Sequence, residues 1–152
     1  MPTVISELPF TVVEPGEYRL DTSLVLQQGE FAVRVEVPDV HLDLNSHALE
    51  NRGGIAILLE STDFTLSNGT LKGSSIALIS APHIRPDRCR FSDLTVEGVL
   101  YLGGDQLVVE RCRVVGATQG IRGGLNSKIV DCEVTGALLG VEVGAGSEVL
   151  RT

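Results

Sequence analysis

Asn126-Ser127-Lys128-Ile129-Val130-Asp131-Cys132-Glu133-Val134-Thr135-Gly136 decides the fold, because earlier parts of the chain repeat its pattern. Aligned on Gly136, Gly116, Gly98, Gly73 and Asn51, the chain places Ile129, Val109, Phe91, Leu66 and Leu44 seven residues earlier. Val134, Val114, Val96, Leu71 and Leu49 stand two residues before the same anchors. Five residues before them stand Asp131, Arg111, Asp93, Asn68 and Ser46, mostly small polar residues suited to a bend. The anchors recur about every 18 to 25 residues, a period at which self-similarity marks a solenoid.

Working outward, each repeat from Phe31 onward divides into three short strands. The first runs through Val33–Val35, Ile55–Ile57, Ile76–Leu78, Leu100–Leu102, Ile121 and Val141–Val143. The second runs through Leu42–Leu44, Phe64–Leu66, Cys89–Phe91, Leu107–Val109 and Ser127–Ile129, and the third ends in Val96, Val114 and Val134. Apolar and polar residues alternate within each, as a half-buried strand requires. Asn68-Gly69, Ser92-Asp93 and Val130-Asp131 supply bends, since Asn, Asp and Gly tolerate left-handed backbone angles. Glu50, Lys72 and Glu97 stack on the third strand with alternating charge, a structural pairing.

The predicted fold is all-β: a right-handed, single-stranded parallel β-helix of about five to six coils, with residues 1–30 as an N-terminal cap and residues 31–152 as the coils. Leu8–Val13 and Tyr18–Leu20 are β-prone runs joined by a Glu14-Pro15-Gly16-Glu17 turn, and a solenoid needs an atypical segment over its first layer. Phe10, Val12, Tyr18 and Leu20 are the residues expected to cover it. Pro82–Arg88 lengthens one coil; its two prolines cannot donate ladder hydrogen bonds, so it is expected to bulge outward. At the other end Val149 falls in the column of Ile129, so the chain stops in mid-coil and leaves apolar surface to be covered.

Composition narrows the function. Of 152 residues, 20 are acidic and 12 basic, a net charge of −8 that argues against a nucleic-acid partner. No apolar run reaches the length of a membrane span, so no membrane partner is expected. The N-terminus lacks the basic and long apolar regions of a secretion signal. Three cysteines show no CxxC spacing. Cys112 and Cys132 share a column on successive repeats, which permits a disulfide between coils, although small core residues stacked as free thiols is the plainer reading.

Val40-His41-Leu42-Asp43-Leu44-Asn45-Ser46-His47, followed by Asp63-Phe64-Thr65-Leu66-Ser67-Asn68-Gly69-Thr70-Leu71-Lys72-Gly73, resembles the coils of right-handed parallel β-helix proteins of the pectate-lyase-like superfamily. The stretch from Leu8-Pro9-Phe10 to Tyr18-Arg19-Leu20 resembles the lead-in of such proteins. The resemblance covers the chain from about Leu8 onward and implies the fold. The superfamily holds polysaccharide lyases and hydrolases, epimerases, phage tailspikes and adhesins. The catalytic motifs of its enzymes have no counterpart here: neither paired Asp residues with a following His-Gly nor a lyase calcium cluster is present.

With a constant register, the outward positions of the second strand gather His41, Asp43, Asp63, Arg88, Arg90 and Glu110 within a few coils. Arg88 and Arg90 suit the carboxylates of acidic sugars, and the carboxylates suit acid–base work. The same face also reads as a solvated sheet with opposite charges paired between coils. His41 and Asp43 share a face that His47 does not, so neither a metal nor any other cofactor is expected. The leading expectation is a non-enzymatic scaffold or interaction module, a homo-oligomer joined through Val141, Val143, Val149 and Leu150 of the last coil. The alternative is a carbohydrate-active protein that binds or cleaves an acidic polysaccharide on the lateral face.

Overall fold

Runs of Val, Leu and Ile, each closed by Asn, Asp, Gly or Pro, favour strands over helices. The computed structural model describes residues 2–80, 86–101, 104–116, 119–136 and 139–151, with seventeen strands and no helix among them. Among the described residues no helix is therefore long and apolar enough to cross a membrane. The first strands are β1 (Thr3–Ile5), β2 (Phe10–Val12), β3 (Gly16–Leu20), β4 (Leu24–Leu26), β5 (Phe31–Val35) and β6 (Val40–Asp43). Then come β7 (Ala48–Asn51), β8 (Ile55–Leu59) and two long strands that run through corners, β9 (Phe64–Ser80) and β10 (Arg90–Tyr101). The chain continues with β11 (Val108–Glu110), β12 (Arg113–Val115), β13 (Gln119–Arg122), β14 (Lys128–Val130), β15 (Glu133–Thr135), β16 (Leu139–Glu142) and β17 (Glu148–Leu150).

Strands pair in parallel with their equivalents one turn later, which builds a β-solenoid of about six turns. One face carries β2, β5, β8, the ends of β9 and β10, β13 and β16. A second carries β1, β3, β6, the starts of β9 and β10, β11, β14 and β17. A third carries β4, β7, the middles of β9 and β10, β12 and β15.

The core lies between the faces and is built from stacked columns. Tyr18, Leu42, Leu66, Phe91, Val109 and Ile129 form one such column, paired rung by rung and buried throughout. Phe64 packs edge-on against Phe91, with ring centroids 6.2 Å apart. Burying a side chain of this size contributes about 1.5–3 kcal/mol, so repetition of the column accounts for stability without helices.

The first thirty residues, expected to lie outside the repeat, supply four strands that join these ladders. Phe10 pairs with Val33, Tyr18 with Leu42 and Leu24 with Leu49. Val12, Tyr18 and Leu20 are buried, and the half-buried Phe10 packs against Tyr18.

Asn and Asp take most of the corners, as expected, but Arg88, Gln106, Arg111 and Arg151 adopt the same left-handed angles. Asn68, Asp93, Arg111, Asp131 and Arg151 all have φ between 51° and 64° in one bend column, and Asp39, Asp63, Arg88, Gln106 and Asn126 do the same in another. Gly116 and Gly136 turn the third corner with φ of 75° and 76°, where a β-carbon would be strained. Asn51 stands at this third corner too, fully buried.

One register differs from expectation. Leu42, not Leu44, pairs with Leu66, and His41 pairs with Thr65, not Asp63. The bend after β6 holds two extra residues, with both Asn45 (φ 54°) and Ser46 (φ 63°) left-handed where the next turn uses Asn68 alone. Ser46 N donates to Asn68 O and His47 N to Leu44 O, which closes this wider bend. Leu44 is still buried.

Candidate functional site

The second face carries the sequence-predicted cluster, and the corrected register divides it. Asp63 and Arg88 are not strand residues; they occupy the bend that precedes the face, one turn apart. Arg88 grips Asp63 with two arms, Nε to Oδ1 at 2.8 Å and Nη2 to Oδ2 at 3.0 Å. The guanidinium hydrogen bond holds the Asp63 carboxyl below the usual carboxylate range and raises Arg88 in turn. Arg88 is thus already committed to a carboxylate of its own chain.

His41 and Asp43 lie on β6 one turn before Thr65 and Ser67, and one turn after Glu17 and Arg19. Together with Tyr18, Asn45 and Pro2 they line a cleft of about 180 Å³. His41 Nε2 shares a hydrogen bond with Ser67 Oγ at 3.2 Å, and Asp43 Oδ1 accepts from Asn45 N at 2.8 Å. Arg19 Nε lies 3.0 Å from Asp21 Oδ1 but is misaligned with it, so its N–H is left without an acceptor. Glu17 and Arg19 escape the sequence reading because they fall in the segment assigned to a cap.

Arg90 shares the rung column of His41, with Thr65 between them, so the two are separated by about 10 Å at the usual strand spacing. Arg90 is exposed and makes no ion pair among the described residues. Glu110 follows further along and pairs with its chain neighbour, Arg111 Nη1, at 3.3 Å. The six residues therefore form one ion pair, one cleft wall, one exposed arginine and one neighbour pair, and no single site unites them.

Sequence reasoning missed how systematic the pairing is. Arg111 forks Asp93 at 2.8 and 3.2 Å, and Arg151 forks Asp131 at 2.5 and 3.2 Å. As with Asp63 and Arg88, the arginine stands one turn after the aspartate in the same left-handed bend column. The hydrogen bonds from these guanidinium groups lower both carboxyls. The signal was present as alternating Asp and Arg at equal repeat positions. On the third face Lys72 lies 3.6 Å from Glu50 and 3.5 Å from Glu97, the pairing that its stacking predicted.

Among the described residues no three His, Cys, Asp or Glu side chains converge as metal ligands. His83 and the first part of the Pro82–Arg88 insertion lie outside the described residues. Of the residues expected at an oligomer interface, Val141 and Val143 are partly buried against the core, whereas Val149 and Leu150 are 44% and 40% exposed.

The chain matches no protein family, no curated protein and no solved structure.

Proposed function

We propose that this chain is a solenoid scaffold, of the pectate-lyase-like parallel β-helix kind its sequence resembles, that acts by presenting surfaces and not by turning over a substrate. The Asp63–Arg88 fork carries this reading. The carboxylate and the arginine best placed for an acidic ligand neutralise each other across neighbouring turns, and Asp93–Arg111 and Asp131–Arg151 repeat the device. Charge at these bends holds turns together.

Self-association through the last turn belongs to the same proposal. Val149 continues the inward column after Ile129 yet remains exposed beside Leu150. A strand from a second copy laid against β17 would bury both. Light scattering after size exclusion tests this: the native chain is expected to run as a dimer or larger at micromolar concentration, and Val149→Lys with Leu150→Lys as a monomer. A monomeric native chain would sink the self-association.

The cleft of Glu17, Arg19, His41 and Asp43 favours a second reading, a lateral face that binds a polysaccharide, with Arg90 as an outlying contact. Titration calorimetry with acidic oligosaccharides, comparing the native chain with Arg19→Ala and Arg90→Ala, would show weakened binding in both variants. Equal binding by all three proteins would remove the reading.

A further inference from the structure

Cys112 and Cys132 stand one turn apart in the same inward column, immediately before β12 and β15, whose residues pair as Arg113 with Glu133 and Val114 with Val134. Glu133 N donates to Cys112 O at 2.9 Å, which fixes the two cysteines on consecutive rungs. Both are buried and both are reduced, outside any disulfide. Cys112 Sγ lies 3.3 Å from Glu110 O, and Cys132 Sγ lies 3.3 Å from Val130 O. Cys89 occupies a different column, the one before Arg90 and Val108.

Equivalent Cα atoms on stacked strands are about 4.8 Å apart. That lies inside the window of roughly 4.4 to 6.8 Å that disulfides span, whereas the Cβ atoms must draw in to about 3.8 Å. Both residues stand just outside their strands, next to left-handed bends at Arg111 and Asp131. We propose that Cys112 and Cys132 close into a reversible disulfide between turns when the protein meets hydrogen peroxide.

The step balances. The Cys132 sulfur attacks a peroxide oxygen, the O–O bond breaks, and the departing hydroxide leaves as water with the thiol proton, which makes a sulfenic acid. The Cys112 sulfur then attacks the sulfenic sulfur. An S–S bond forms, the S–O bond breaks, and the hydroxyl leaves as a second water with the Cys112 proton. Two thiols and one peroxide become one disulfide and two waters; the sulfurs lose two electrons and the peroxide gains them. The stacked geometry brings the two thiols together, and the interaction between them lowers the Cys132 thiol and raises that of Cys112. Cys132 is then the readier nucleophile. A bond that pulls two rungs together is strained and easily reduced, which suits a switch better than a permanent staple.

Peptide mapping tests the pair. The reduced 152-residue chain is exposed to hydrogen peroxide, alkylated under denaturing conditions, digested with a protease that cuts before aspartate, so that Cys89, Cys112 and Cys132 fall in three different peptides, and weighed. The expected product joins the Cys112 and Cys132 peptides, leaves Cys89 alkylated, and disappears on treatment with dithiothreitol. Cys89→Ser should still form the joined product, and Cys132→Ser should not. Mapping of the native chain decides the question even if a variant folds poorly. Alkylation of all three thiols after peroxide, Cys132 driven to sulfinic acid without a joined product, or joining only between chains would each overturn the proposal.

Discussion

Replacing Asn51 with leucine, which has the same branched heavy-atom skeleton but no polar atom, tests the hydrogen bonding at the third corner. Asn51 has no solvent exposure. Its Nδ2 donates to Gly29 O in the preceding turn at 3.1 Å and to Ile55 O at 2.8 Å, and its Oδ1 accepts from Gly53 N at 3.0 Å. Each bond contributes about 0.5–1.5 kcal/mol net, and a buried group left without a partner costs about 1–3 kcal/mol. Three lost bonds and a stranded Gly53 N–H together cost about 4 kcal/mol, a large share of the roughly 5–15 kcal/mol that holds a domain folded. At a urea slope of about 2 kcal/mol per molar, the unfolding midpoint should fall by about 2 M. Urea titration followed by far-ultraviolet circular dichroism measures the shift, and hydrogen exchange at the Gly53 amide locates it. Asn51→Asp keeps the acceptor for Gly53, loses both donors and buries a charge, so it too should destabilise at neutral pH. A midpoint for Asn51→Leu within about 0.3 M of the native chain, the size of an ordinary surface substitution, would refute the reasoning and leave the corner to packing alone.

Two further expectations concern the core and the bends. Phe91→Ala removes a fully buried ring that packs edge-on against Phe64, and should cost about 3–5 kcal/mol in the same urea assay; a loss below about 1 kcal/mol would mean that the central turns are loosely packed. Asp63, Asp93 and Asp131 have depressed carboxyl values, so their forks stabilise fully above the unfolded value of about 3.9 and lose that contribution as pH falls through the lower folded values. Melting temperature should therefore stay level as pH falls from about 7 to 5 and drop below about 4, and a melting temperature unchanged in acid would show that the forks do not stabilise the fold.

The fold was legible because three kinds of signal agreed. Alternation placed Val96 and Val114 in the core and Val134 against it, Asn68, Asp93 and Asp131 marked bends, and the recurring period named the solenoid. The register of His41 was not legible, and the reason is physical. A shift of two residues along a strand leaves every side chain on its original face, so hydrophobic alternation cannot detect it. Leu42 and Leu44 are both buried, and counting back from Asn51 selected the wrong one. The grouping of the candidate residues was hard to read for a related reason. Columns of Asp and Arg look alike whether they face a ligand or each other, and only the two-armed contact of Arg88 with Asp63 distinguishes the cases. Glu17 and Arg19 stayed hidden because their segment has the alternation of the later turns without their corner residues.

Parallel pairing with the equivalent strand one turn later also governs how the chain can reach its shape. Each ladder closes a loop of a single turn, and the entropy of closing it does not grow as turns accumulate. Folding can start wherever two neighbouring turns first hold together and then zip outward in both directions. Phe64 and Phe91, the large aromatic pair between two central turns, are the natural seed. Turns added on either side meet a template that is already formed, so a longer solenoid of this pattern would face the same search at each step as this one does.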